Sequence, residues 1–122
     1  MKIARWLTLL GSLVLIGSAI FHLTGYTSVL LIEAAAIRPP LDGVLKALWL
    51  TFSVLLLGLA AIALLARGMG RGGWVVLSCG ATTGVTALLL LRFLGPFIGF
   101  YLLTVVTVLL LVGGWIQAKN QN

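Results

Sequence analysis

Four long apolar runs divide this chain, and its polar residues collect in the breaks between them. The runs cover about residues 3–24, 44–66, 74–94 and 97–117. Each falls within the roughly 17–25 residues that a helix needs to cross a hydrocarbon core about 30 Å thick. None alternates apolar and polar positions, so strands of a membrane barrel are excluded. Backbone groups in lipid must be satisfied within the segment, which leaves the helix as the expected form. The pattern therefore predicts an all-α membrane protein, a four-transmembrane-helix bundle, with residues 1–122 forming a single integral membrane domain. Gly17-Ser18-Ala19 has the small-residue character of a signal-peptidase site, but the apolar run continues through Phe21 and Leu23. An uncleaved first helix is the expectation.

The breaks are unequal. The connection over residues 25–43 is the long one, and it holds Glu33 and Asp42, the two acids of the chain. Within it, Ser28–Ile37 reads SVLLIEAAAI, with strong helix formers in its second half. It is too short to span and is stopped by Pro39-Pro40, because the residue before a proline avoids the helical region. A short interfacial or re-entrant helix is expected there. Gly95-Pro96 predicts a tight turn, making the third and fourth spans antiparallel neighbours. The remaining break, Arg67–Gly73, spells G-x-G-x-x-G at Gly68, Gly70 and Gly73. That fingerprint requires a preceding strand within a βαβ unit. A membrane span precedes it here, so it reads as a flexible turn whose two arginines lie near lipid headgroups.

Composition agrees with lipid as the solvent. The chain is 61% hydrophobic and 8% charged, with mean hydropathy +1.23, against about 25% charged residues in soluble domains. The net charge of +6 could suggest nucleic acid in a soluble protein. Here the positives flank apolar spans, so topology explains them and no nucleic-acid partner is expected. Lys2, Arg5, Arg67, Arg71 and Lys119 fall on one side of the predicted bundle with no acid. The positive-inside rule makes that side cytoplasmic, an N-in/C-in arrangement with the long connection outside. Trp6, Trp74 and Trp115 fall near the same interface, where indoles settle. The compact size fits a bacterial inner (cytoplasmic) membrane. Cys79 is the one cysteine and lies within a span, so it carries no information on redox compartment.

Helical spacing decides which polar residues can meet. Gly11, Ser18, His22 and Gly25 share a face of the first span; Lys46, Trp49, Ser53 and Ala60 share one on the second. Ser78, Thr82 and Arg92 align on the third, and Tyr101, Thr104, Thr107 and Gly114 on the fourth. Small and hydroxylated residues mark packing faces in membranes, and bundle packing alone accounts for these stripes. His22, Trp49, Arg92 and Tyr101 lie toward the outer ends of their helices, with Glu33 in the connection above them. These five residues are the candidate ligand-binding set of an outward-facing polar pocket.

Each has a plainer reading. Arg92 either snorkels to the interface from its place near the helix end or clamps an anionic headgroup. His22 bonds a neighbouring helix, caps the first span, or transfers protons. Glu33 faces water or folds inward to pair with Arg92 or His22. Trp49 and Tyr101 are packing aromatics or contacts to the body of a ligand. One histidine, one cysteine at another depth and two acids do not make a metal set, and no catalytic residue or cofactor is assigned.

The expected function is a small non-catalytic membrane protein that binds a lipid-like or amphipathic ligand, with membrane lipids as its partners. Two alternatives are an accessory subunit packed on another membrane protein and a small homo-oligomeric transporter. Small four-span multidrug exporters couple to protons through a glutamate in the first span, where this chain has His22 and no acid. A membrane enzyme using His22 and Glu33 as acid and base has only residue type behind it.

Overall fold

The computed structural model describes residues 2–27 and 41–120. Among these residues are four helices: α1 (Lys2–Thr24), α2 (Leu41–Ala66), α3 (Gly72–Leu94) and α4 (Ile98–Lys119). All four are long and apolar enough to cross a membrane, which suits a small integral membrane protein. Large apolar side chains cover the outside, among them Ile3, Leu65 and Phe93, as expected where the helices meet lipid rather than water. The short helix expected at 28–37, with Glu33 and Arg38, lies outside the described residues.

Successive helices run antiparallel. Residues near position 4 of α1 face position 113 of α4, and Gly73 of α3 faces Ala118 of α4. His22 at the end of α1 meets Ser53 in the first half of α2. The start of α1, the end of α4 and the 67–71 turn therefore share one end of the bundle, called here the terminal end. The α1 C-terminus and the Gly95 turn share the other, the turn end. In the order of neighbours around the bundle, α1 lies between α2 and α4, and α4 lies between α1 and α3. Between α2 and α3 the ring closes more loosely.

Glycine determines where the helices come close. Two consecutive glycines on α4 point to different neighbours. A Cβ added at Gly113 would fall 2.9 Å from Thr8 Oγ1 of α1, and one at Gly114 would fall 2.7 Å from the Leu77 nitrogen of α3. Gly80 on α3 likewise leaves no room: its Cβ would sit 3.0 Å from the Leu111 nitrogen. Such close approach is how membrane helices gain packing energy, since burial away from water contributes nothing between them. Leu15, Val76, Val106 and Leu110 fill the buried seam beside these glycines. At the turn end, Gly95 closes α3 with φ 78, a left-handed conformation that favours glycine, and its N–H reaches the Leu91 carbonyl at 3.1 Å.

The hydroxyl stripes expected as packing faces on α3 and part of α4 are corrected by the structure. Ser78, Thr82, Tyr101 and Thr104 are exposed, as is Arg92. Ser78 and Thr82 donate to the carbonyls of Trp74 and Ser78 one turn back, and Thr104 donates to Phe100. A hydroxyl satisfied by its own helix needs no neighbour, so it can face lipid. The real α3 face runs through Gly73, Val76, Gly80, Thr83 and Ala87. On α1 and α2 the expected stripes do point inward: Gly11, Ser18, Ser53 and Ala60 are buried.

A buried amide fastens the terminal end. Gln117 Nε2 on α4 donates to the carbonyls of Ala66, Arg67 and Met69 at 3.2, 3.5 and 3.4 Å. It thereby ties α4 to the end of α2 and the turn after it, where the carbonyls of Ala66 and Met69 also accept the Met69 and Gly72 N–H groups.

Gly114→Ala is expected to lower unfolding stability in detergent by about 1–3 kcal/mol, the usual cost of overpacking. Gly58 faces open space on α2, so Gly58→Ala should stay within about 0.5 kcal/mol of wild type. Denaturation followed by circular dichroism checks both. Equal effects would remove the close approach as the stabilising feature.

Candidate functional site

At the turn end, His22 in the last turn of α1 is held from three directions. Its ring stacks on Trp49 of α2, with centroids 4.1 Å apart and planes at 17°. Phe52 lies tilted against it at 4.9 Å. Its Nδ1 lies 2.8 Å from Ser53 Oγ. Trp49, Phe52 and Ser53 stand at i, i+3 and i+4 on one face of α2, so one short stretch of that helix supplies all three contacts.

The fourth contact runs the other way. Trp49 Nε1–H donates to the His22 carbonyl at 2.8 Å, and the Gly25 N–H donates to the same oxygen at 3.1 Å. The last carbonyls of a helix lack partners within it, so the indole caps α1 while its face carries the imidazole. Gly25 makes room for this: a Cβ there would fall 2.8 Å from Trp49 Cζ2.

Beside His22 lies a cavity of about 790 Å³ to which all four helices contribute. That volume is in the range of about 300–1,000 Å³ common for small-molecule sites. Leu45, Leu56, Leu90, Leu103, Phe21 and Phe97 typify its wall. The polar side chains on the wall are Ser18, His22, Thr24 and Trp49. Ser18 and Thr24 donate to the Val14 and Phe21 carbonyls at 2.7 Å each, and the indole N–H is taken by His22. Among the described residues, His22 Nε2 is the one side-chain nitrogen or oxygen on the wall with no hydrogen bond. No Asp, Glu, Lys or Arg of the described residues lines the cavity.

The five candidate residues separate. The structure brings His22 and Trp49 together on the cavity wall. Arg92 lies outside it: the α3 residues on the wall are Leu90 and Leu94, and Arg92 falls midway between them, about 200° around a helix from each. It is exposed, with its guanidinium carbon 5.7 Å from the Phe93 ring centroid. Tyr101 is also off the wall, at 55% exposure, while Ile98 and Leu102 take the cavity side of α4. The expectation that Arg92 and Tyr101 share an inner face with His22 is corrected accordingly. Glu33 lies outside the described residues. Sequence reading missed Ser53 as the imidazole's partner and Phe52 as a ring contact, although the i, i+3, i+4 spacing with Trp49 was there to be read.

No group of three or more His, Cys, Asp or Glu among the described residues could hold a metal ion. The arrangement offers a mostly apolar cavity in which the His22 imidazole, held in place by α2, is the ionisable side chain on the wall among the described residues. Comparison with protein-family models, with curated proteins and with solved structures finds no match.

Trp49→Phe keeps an aromatic face under His22 but loses the bond to its carbonyl. It should cost about 0.5–1.5 kcal/mol of unfolding stability in detergent. Trp49→Leu also loses the stack and should cost about 0.5–1.5 kcal/mol more. Equal losses in the two variants would show that the stack contributes nothing.

Proposed function

We propose that this chain is a non-catalytic integral membrane protein that holds a lipid-like, amphipathic ligand in the cavity beside His22. The observation that carries the reading is the wall itself: about 790 Å³ of mostly apolar space with, among the described residues, one unpartnered side-chain nitrogen, on His22. Ligand sites are concave and mostly apolar, with a few placed polar groups that set orientation. A ligand with an apolar body and a small polar head matches that description. His22 and Trp49 form the polar end of the site, and Arg92 and Tyr101 act as interfacial residues outside it.

The orientation proposed is N-in/C-in, in a bacterial cytoplasmic membrane. Lys2, Arg5, Arg67, Arg71 and Lys119 all gather at the terminal end of the bundle. Trp6, Trp74 and Trp115 stand at that same end, each more than 60% exposed, which supports an interfacial belt there. The cavity then lies in the leaflet facing away from the cytoplasm. Fusion of a reporter that fluoresces only in the cytoplasm to the C-terminus should give signal. A dark fusion, active instead with a reporter that matures only outside, would reverse the orientation.

Native mass spectrometry of the protein in mild detergent should show a lipid-like mass bound to wild type. Leu102→Trp, which fills the cavity from α4, should lose that mass, and Arg92→Ala should retain it. A wild-type protein that is bare in both detergent and nanodiscs would remove the ligand-binding reading.

A further inference from the structure

The geometry points to the class of ligand: a neutral lipid whose head is a hydroxyl, donating its proton to His22 Nε2. This inference rests on the ligand-binding reading above and adds to it which head the site accepts.

The first step is the direction of the hydrogen bonds around Ser53. Its hydroxyl lies 2.8 Å from His22 Nδ1 and 3.3 Å from the Trp49 carbonyl. The hydroxyl has one proton and can give it to only one of them. A carbonyl oxygen can only accept. An imidazole nitrogen can do either, according to tautomer. The arrangement that satisfies both contacts therefore sends the serine proton to the Trp49 carbonyl and takes the Nδ1–H from the imidazole. Other hydroxyls in the bundle follow the same rule. Thr8, Ser12 and Ser18 each donate to the carbonyl one turn back. With its proton on Nδ1, the neutral ring presents Nε2 as a bare acceptor.

The second step is that this acceptor cannot turn away. The ring is stacked on Trp49 and flanked by Phe52, and Trp49 is itself tied to the backbone of residue 22. The imidazole thus meets a ligand in one pose. An acceptor held in that way favours a head with a donor and gives nothing to an ether, an ester or a ketone.

The third step is charge. A phosphate or carboxylate head would be taken out of the headgroup region into a wall that offers no Lys or Arg among the described residues. An unpaired buried charge is far more costly than an unpaired dipole. Arg92, a cation of the described residues at this end, is on the far side of α3. Lys46, half-buried three residues before Trp49, is not on the wall.

The test uses the full chain, delipidated in detergent, and four probes of one chain length: hexadecanol, its methyl ether, palmitate and hexadecyl phosphate. Each is titrated by native mass spectrometry at neutral pH. Hexadecanol is expected to bind wild type about tenfold or more tightly than the ether, the loss of one oriented hydrogen bond. Both anions should bind still more weakly. His22→Phe keeps a ring on Trp49 and should bind alcohol and ether alike, at the ether's affinity for wild type. If that variant does not fold, Ser53→Ala serves. It frees the tautomer, and the alcohol preference should fall several-fold.

Ether or palmitate binding as tightly as hexadecanol would overturn the hydroxyl-headed class while leaving the ligand cavity standing. So would an alcohol preference that survives His22→Phe or, where that variant does not fold, Ser53→Ala. No binding by any of the four probes to wild type would overturn the cavity reading itself, and the inference with it.

Discussion

The close approach of α4 to two neighbours at once is the constraint on which the rest of this structure depends. Gly113 and Gly114 are adjacent in sequence, so their missing side chains point about 100° apart around the helix. One admits the backbone of α1 near Ala4 and Thr8, and the other admits α3 near Gly73 and Leu77. With both sides of α4 engaged, the terminal end of the bundle is drawn tight. Gln117, three residues on, then reaches the end of α2 and closes the fourth helix onto that end. At the turn end, Leu, Phe and Trp side chains line the cavity, although α1 and α2 still meet closely at Gly25 and Trp49. The cavity beside His22 lies at the opposite end of the bundle from these contacts, walled mostly by large apolar side chains.

The four spans were legible from hydropathy alone because lipid imposes a length and forbids unsatisfied backbone. The observed helices differ from the expected ones by a few residues at some ends. α3 begins at Gly72 rather than Trp74 and α4 runs to Lys119 rather than Gln117. A residue such as Lys119 can continue a helix past the core because its charge snorkels outward. The Gly95-Pro96 turn was equally legible, since only a glycine tolerates φ 78 at little cost.

Helix faces were less legible, and for a physical reason. Hydroxyls were read as marks of packing, but in a helix a serine or threonine can satisfy itself one turn back. Ser78, Thr82 and Thr104 do so and face outward, which is why the stripe containing Arg92 pointed the wrong way. Glycines were the better guide, because nothing but close contact explains several of them on one helix face. For the site, the placing of His22 and Trp49 at one end of the bundle and the pairing of His22 with a neighbouring helix were within reach of the sequence. The partner of that bond was not, because Ser53 is 31 positions away in the chain and only the register of α1 against α2 brings it there.

A cavity in a membrane protein differs from one in water in what competes for it. Ordinary acyl chains surround the bundle and can enter an apolar gap as readily as any ligand body, and leaving lipid for such a gap yields no hydrophobic gain. The leucine and phenylalanine wall can therefore admit an occupant without choosing it. Choice has to come from a group that ordinary chains cannot satisfy, and in the ligand-binding reading proposed above that group is the imidazole of His22. The three contacts that immobilise His22 acquire their meaning from this. A freely rotating imidazole would satisfy itself elsewhere and select nothing. One that is stacked, flanked and bonded at Nδ1 keeps its remaining nitrogen in a fixed place, and in the proposed site the cost of leaving that acceptor unmet is the means of separating one lipid from the rest.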